Sequence, residues 1–170
     1  MFNILLCLII IISSGALGLL KTQTFSQRIR ELNDVRTMLH QLSIEISYRK
    51  DPLLVTFRRI ASQKNDISSQ LLTSCAEHMT SYKEFGQCWT AAIDEVFENT
   101  SMKKEDKAIL LELGAQLGKS SIEGQSDMFR LTEEKLVHQI NQAVKEKDSK
   151  GKMYGGLGFS LGIVISVLLI

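Results

Sequence analysis

The charged side chains of the 170-residue chain all lie between Lys21 and Lys152, which leaves an uncharged apolar segment at each end. A helix needs about 20 consecutive, mostly apolar residues to cross the hydrocarbon core of a bilayer. Residues 2–20 and 153–170 have about that length, and their aliphatic side chains favour insertion. We therefore predict two transmembrane helices, with one domain of residues 21–152 between them.

A cleaved signal peptide is the alternative for the first segment, because small residues follow its apolar run between Ser13 and Gly18. Signal peptides usually begin with a basic region, however, and Met1-Phe2-Asn3 has no basic side chain.

Basic residues flank both segments on the domain side: Lys21, Arg28, Arg30, Lys145, Lys147, Lys150 and Lys152. Since lysine and arginine concentrate in cytoplasmic loops, we expect a multi-pass membrane protein whose central domain is cytoplasmic.

The last segment contains a G-x-x-x-G pattern formed by Gly158 and Gly162. Small residues at this spacing let a second membrane helix approach closely. Glycine is also common in membrane helices in general, so a chance match is an equal alternative. Helix pairing through Gly158 and Gly162 is one of our predictions.

Apolar residues in the central domain recur with helical spacing and predict an all-α, antiparallel bundle of about six helices. The first helix, over residues 24–49, has a heptad repeat formed by Phe25, Leu32, Leu39 and Ile46. Asp51 and Pro52 predict the N-cap and first turn of a short second helix. Further helices are expected over residues 67–79, 89–97, 103–118 and 121–147, with Gly86 as a break before the fourth. Short connections predict that both apolar segments leave the same end of the bundle.

The sequence shows no pattern typical of catalysis, cofactor binding or metal binding. His40, His78 and His138 fall on three different predicted helices, whereas a metal site needs three or four convergent ligands. Phosphate-binding and nucleophile-elbow motifs are absent from the sequence. We interpret Cys75 and Cys88 as small buried apolar residues. The 20 basic and 19 acidic side chains nearly balance, which argues against a nucleic-acid partner.

Two glycines on one helix face, Gly114 and Gly118, are the most unusual feature of the domain. Glycine costs nearly 1 kcal/mol relative to alanine within a helix, so the pair predicts close packing against a neighbouring helix. Gly118 is also suited to a C-cap, and a contact inside the bundle is the simpler alternative for Gly114. The candidates for interaction or packing are Trp89, Leu113, Gly114, Leu117, Gly118, Gln125, Gly158 and Gly162.

These features together resemble the stage III sporulation protein AB family of endospore-forming bacteria. The resemblance covers essentially the full length. It depends on Trp89, on Leu113-Gly114-x-x-Leu117-Gly118 with Gln125 beyond, and on Lys152-x-Tyr154 before the glycine-rich last segment. Two departures are Cys88, where alanine is more usual, and the amino terminus without basic residues.

The resemblance implies a non-enzymatic subunit of a membrane channel between mother cell and forespore, located in the outer forespore membrane. It also implies a domain similar to the platform protein of type II secretion and type IV pilus machines. The implied partners are the secretion-type ATPase stage III sporulation protein AA, other membrane subunits of the channel and the lipid bilayer, and a homo-oligomer is compatible with it. The alternative is a membrane-tethered helical adaptor that binds a soluble partner outside any channel.

Overall fold

The computed structural model describes residues 2–49, 51–81, 84–117, 122–151, 153 and 160. Within these residues it is helical, without strands. The elements are α1 (Phe2–Arg49), α2 (Leu53–Ala61), α3 (Ile67–Met79), α4 (Phe85–Phe97), α5 (Lys104–Gln116), α6 (Ile122–Glu146) and a π-helix (Lys147–Gly151). The prediction of an all-α fold with about six helices is confirmed.

The chain divides into two compact units, and the divisions fall inside α1 and α6. One unit is Arg30–Ile140, and the other combines Met1–Ile29 with Asn141–Ile170. In the first of these, the heptad positions of α1 are core residues: Leu32, Val35, Leu39 and Leu42 are all buried. The hydrophobic core of this unit also contains Phe57, Trp89, Leu110 and Phe129.

Two predicted helix starts differ from the structure. Pro52 itself is the N-cap of α2, because its ψ angle of 137° is extended and the helix begins only at Leu53. Asp51 accepts a hydrogen bond from Arg59 at 3.0 Å. Gly86 does not break the chain before α4. It is the second residue of that helix, a first-turn position at which the backbone N–H has no intrahelical partner.

The third helix begins with a capped turn that local chemistry explains. Asp66 is its N-cap, and the carboxylate accepts a hydrogen bond from the backbone N–H of Ser69 at 2.9 Å. An aspartate at this position satisfies one of the donors that a helix leaves unpaired at its start. The fifth helix is similarly fixed, since buried Asp106 accepts from the backbone N–H of Lys103 at 2.8 Å.

The predicted membrane segments are only partly within the described residues. The backbone of residues 2–20 belongs to α1, but the side chains of 2–12 and 14–19 lie outside the description, as does the 153–170 segment apart from Met153 and Ser160. Among the residues described, no helix combines the length and hydropathy required of a membrane span.

Candidate functional site

The indole of Trp89 is the centre of the contact between α4 and α5. Trp89 is fully buried, and its Nε1–H donates a hydrogen bond to the backbone carbonyl oxygen of Leu110 at 2.8 Å. A buried indole needs a partner for its only polar hydrogen. Since the acceptor is the α5 backbone, the bond fixes the position of the ring along that helix.

Gly114 lies directly beneath this ring. A Cβ atom at position 114 would come within 1.9 Å of Trp89 Cδ1 and 2.6 Å of Cγ. No side chain fits there while the indole holds its place. At Gly86 on α4, by contrast, the nearest atom to an added Cβ is the Gly114 carbonyl oxygen at 3.8 Å, which is an ordinary van der Waals contact. The α4–α5 contact therefore requires glycine at 114 and not at 86.

Two phenylalanines surround Trp89 and connect α2 to the same contact. The ring of Phe57 in α2 lies 6.0 Å from Trp89 and 6.1 Å from Phe85. Phe85 and Trp89, both in α4, are stacked with centroids 6.0 Å apart. Aromatic pairs at this separation contribute about 0.5–1.5 kcal/mol beyond their buried area. The cluster makes the α4–α5 contact part of the main core.

Four of the predicted interaction or packing residues lie in the core, and two of them, Trp89 and Gly114, are in direct contact. Trp89, Leu113, Gly114 and Leu117 are all buried. Gln125 is half-buried in α6. Gly118, Gly158 and Gly162 lie outside the described residues. The alternative of a contact inside the bundle, which the sequence left open for Gly114, is the arrangement that the structure has.

A second notable place lies in the unit of residues 1–29 and 141–170, where residues just after the first apolar segment contact residues just before the last. The Thr22 hydroxyl donates to the carbonyl oxygen of Gly151 at 3.2 Å. Six residues further along α1, the guanidinium of Arg28 is 3.1 Å from the carboxylate of Glu146. Arg28 is 3% exposed and the side chain of Glu146 is 24% exposed, so the pair is partly shielded from water.

The residue that follows Glu146 begins the π-helix Lys147–Gly151, whose last residue is buried. A Cβ on Gly151 would lie 3.4 Å from Thr22 Cγ2, so these two stretches of the chain pass each other closely here. Short π-helical segments are rare and are frequent at functional sites. The residue two positions before the last apolar segment is thereby held against the residue two positions after the first.

The cysteine thiols of the central domain are buried and unreactive. Burial raises the pKa of the Cys75 thiol to about 12, with the neighbouring Cys88 adding to the effect. A thiol with so high a pKa is protonated at neutral pH and is a poor nucleophile. Cys75 and Cys88 are free and buried, as the sequence predicted. In the described part of the chain, no group of three or more His, Cys, Asp or Glu residues is placed to hold a metal ion.

Two of the three histidines lie in separate pairs near the surface. His40 is 3.4 Å from Glu133, and His78 is 3.6 Å from Glu95, and each of these pairs joins two helices. Glu134 lies 3.2 Å from Arg130, one turn before it on α6. Each pair has the geometry of a solvated contact.

Sequence reasoning missed the ion pair between Arg28 and Glu146, because residues 118 positions apart give no local signal. It also missed three exposed apolar side chains near the end of α1 and the start of α2: Ile44, Tyr48 and Val55. A signal existed for the first two. Ile44 and Tyr48 fall off the heptad positions that form the buried face of α1.

Comparisons with known proteins agree with the resemblance. The family model described as stage III sporulation protein AB matches residues 3–170. Stage III sporulation protein AB of Bacillus subtilis (strain 168) is 24% identical over 170 residues, covering 99% of both chains. A solved structure of stage III sporulation protein AB superposes with a TM-score of 0.68 at 22% identity, over 72% of this chain and 98% of the other. The chain therefore belongs to the stage III sporulation protein AB family.

Proposed function

We propose that this chain is a non-enzymatic platform subunit of a sporulation channel in the outer forespore membrane, anchored by residues 2–20 and 153–170. Its helical domain would lie in the mother-cell cytoplasm. There it would couple the secretion-type ATPase, stage III sporulation protein AA, to the membrane subunits of the channel. The proposal extends the family membership to a mechanical task that the domain's architecture is suited to.

The hydrogen bond between Thr22 and Gly151 is the observation that carries the proposal. Thr22 follows the first uncharged segment and Gly151 precedes the second. Two membrane helices that start from one fixed point move together, so a force on the domain reaches both. The ion pair between Arg28 and Glu146, at 3.1 Å, joins the same two stretches of chain about one to two turns away.

The interior of the domain also supports a mechanical function over a chemical one. The close contact between Trp89 and Gly114 is filled by the buried indole of the protein itself. The Cys75 thiol is held protonated by burial. A closely packed helical interior transmits strain because its side chains have little room to relax. We therefore assign the domain a connecting function.

The test is binding of the full-length protein, purified in detergent micelles, to purified stage III sporulation protein AA with and without nucleotide. We expect a complex of defined stoichiometry by size exclusion with light scattering. The variant Glu146→Gln removes the carboxylate charge that pairs with Arg28. It should still form the complex with the ATPase, but it should weaken the mechanical link between the domain and the membrane segments, which would appear as reduced sporulation in cells. No complex under any nucleotide condition would contradict the platform function and favour the membrane-tethered adaptor.

Membrane topology is tested separately, in cells. Single cysteines replacing exposed residues such as Lys104 or Gln142, in a background without Cys7, should be shielded from a membrane-impermeant maleimide added outside and labelled after lysis. Labelling in intact cells would contradict the cytoplasmic placement of the domain.

A further inference from the structure

The end of α1 and the start of α2 form an exposed surface, here called the α1–α2 corner, composed of Ile44, Tyr48, Arg49, Val55 and Arg58. Its three apolar side chains are 46%, 84% and 50% exposed for Ile44, Tyr48 and Val55. Tyr48 exposes more of its surface than any other large apolar side chain that the structure describes. Ile44 and Tyr48 are four residues apart on a helix and so occupy one face.

Arg59 joins the two helices at this corner. Its guanidinium donates to Glu45 of α1 at 2.6 Å and to Asp51 at 3.0 Å. Glu45 also accepts from Arg49, at 3.1 Å. Val55 lies one turn before Arg59 on α2, and Tyr48 lies one turn after Glu45 on α1, so this network fixes the two helix segments that carry the exposed apolar residues.

The charge of the corner is positive. The guanidinium groups of Arg49 and Arg59 pair with the carboxylates of Glu45 and Asp51. Arg58 adds a third guanidinium, at the side of α2 where a shallow groove is also lined by Glu77 of α3. Both carboxylates are engaged by arginine. Arg58 is exposed, and no ion pair or hydrogen bond of its side chain occurs within the part of the chain that the structure describes. Exposed tyrosine and arginine around aliphatic residues are the composition found at the centres of protein interfaces.

We propose that the α1–α2 corner docks an acidic amphipathic segment of another protein, with apolar side chains against Ile44, Tyr48 and Val55 and a carboxylate against Arg58. The inference deepens the proposed function, on which it rests for the expectation that the domain has a protein partner. The charge of the surface selects the occupant, because like charges placed across an interface cost several kcal/mol while opposite ones steer association.

Two other occupants fit less well. A second copy of this chain, related by a two-fold axis, would place the corner against itself, with Arg49 and Arg58 facing their own copies. An anionic membrane surface would attract the arginines but would also meet Glu45 and Asp51 at the centre of the corner. A protein segment can place its own charges to suit both signs.

The test uses the full-length chain in sporulating cells, with the photo-crosslinker p-benzoylphenylalanine. Tyr48→p-benzoylphenylalanine places the probe in the corner, and Ala108→p-benzoylphenylalanine places it on an exposed position of α5 as the matched control. We expect a crosslink from position 48 that is absent from position 108. The crosslinked peptide, sequenced by mass spectrometry, should have excess acidic residues with apolar ones at helical spacing.

The charge requirement is tested by adding Arg58→Glu or Arg58→Lys to the position 48 probe. We expect the crosslink yield to fall about tenfold with glutamate, because a like charge would meet the partner's carboxylate, and to persist with lysine. An unchanged yield with glutamate would overturn the inference. So would a crosslink to a second copy, to lipid, or none above the control.

The identity of the crosslinked protein separates the two proposals. An acidic segment of stage III sporulation protein AA would support both. An acidic amphipathic segment of a different protein would uphold the corner and count against the ATPase as the domain's partner. A complex with the ATPase in detergent that survives Arg58→Glu, together with no crosslink at position 48, would uphold the proposed function and overturn the corner.

Discussion

The α4–α5 contact and the α1–α2 corner differ in how far their large side chains are exposed to water. In the contact, Trp89 is fully buried, hydrogen-bonded at 2.8 Å, and leaves no room for a single carbon on Gly114. In the corner, Tyr48 is 84% exposed. Burying a large apolar side chain contributes roughly 1.5–3 kcal/mol to folding. Trp89 makes such a contribution, whereas the exposed Tyr48 makes little of it.

The difference separates residues that define the fold from residues available to a partner. Trp89, Gly114 and Leu117 belong to the pattern by which the sequence resembles its family, and all three are buried. A motif can therefore identify a family by its internal packing while giving no location for binding. The corner has no such motif, and only its exposure and its charge distinguish it.

The largest expected effect comes from Gly114→Ala. The new Cβ would lie 1.9 Å from Trp89 Cδ1, so the indole must move and give up its hydrogen bond to Leu110. Overpacking costs typically 1–3 kcal/mol and an unpaired buried donor a similar amount, which outweighs the gain of about 1 kcal/mol from replacing helical glycine. We expect a net loss of roughly 3 kcal/mol, measured by thermal unfolding in detergent micelles and followed by circular dichroism.

Gly86→Ala is the control for this variant. Its Cβ would be 3.8 Å from the nearest atom, the Gly114 carbonyl oxygen, so the gain in helix propensity should remain. A loss of stability equal to that of Gly114→Ala would mean that the two helices are closer along their whole contact than the structure has them.

A smaller loss is expected for Trp89→Phe. The substitution removes the Nε1–H donor to Leu110 and part of the ring that contacts Phe57 and Phe85. We expect about 2 kcal/mol from the lost hydrogen bond and the space left behind. Combined with Gly114→Ala, the total should be less than the sum of the two single effects, because the smaller ring leaves space for the Cβ. Additive losses would contradict the direct contact.

At the corner, Ile44→Ser and Tyr48→Ser should change the free energy of unfolding by no more than about 0.5 kcal/mol, as is usual for exposed positions. Ile44→Ser, combined with the photo-crosslinker at position 48, should reduce the crosslink to a partner in cells. A loss of stability comparable to that of Trp89→Phe would show that these side chains pack against the protein, and the contrast between the two regions would then fail.

The helical architecture could be predicted from the sequence because apolar periodicity and turn chemistry are local. The buried face of α1, with Leu32, Val35, Leu39 and Leu42, followed from spacing alone. The start of α2 was wrong by a residue, because either Asp51 or Pro52 suits a helix N-terminus and only the backbone angles decide between them. The position of Trp89 over Gly114 depends on how two helices cross, which no spacing within either helix specifies.

The end segments show the opposite balance of information. The uncharged segments 2–20 and 153–170 are evident from composition, and their insertion into a membrane and their exit from one end of the bundle stay predictions. The contact between Thr22 and Gly151 joins the stretches of chain next to these segments. The pairing partner of Arg28, however, is set by how α1 and α6 align, so its identity emerges only when both helices are in place.

Asp34 tests an intermediate case, a half-buried carboxyl on α1. Burial raises its pKa above the ordinary value of 3.8, the negative charge of Asp66 adds to the rise, and Lys64 and Arg30 oppose it. The folded state thus binds the Asp34 proton more tightly than the unfolded state does. The stability that the folded state gains from this proton is complete below pH 3.8 and is lost as the pH rises through the folded-state pKa of Asp34. Asp34→Asn should therefore be slightly more stable than the wild type at pH 7, within about 0.5 kcal/mol because solvent screens a partly exposed charge. The advantage should shrink as the pH falls, which thermal unfolding at pH 7 and at low pH would measure. A greater advantage in acid would reverse the sign and mean that Lys64 and Arg30 dominate the environment of Asp34.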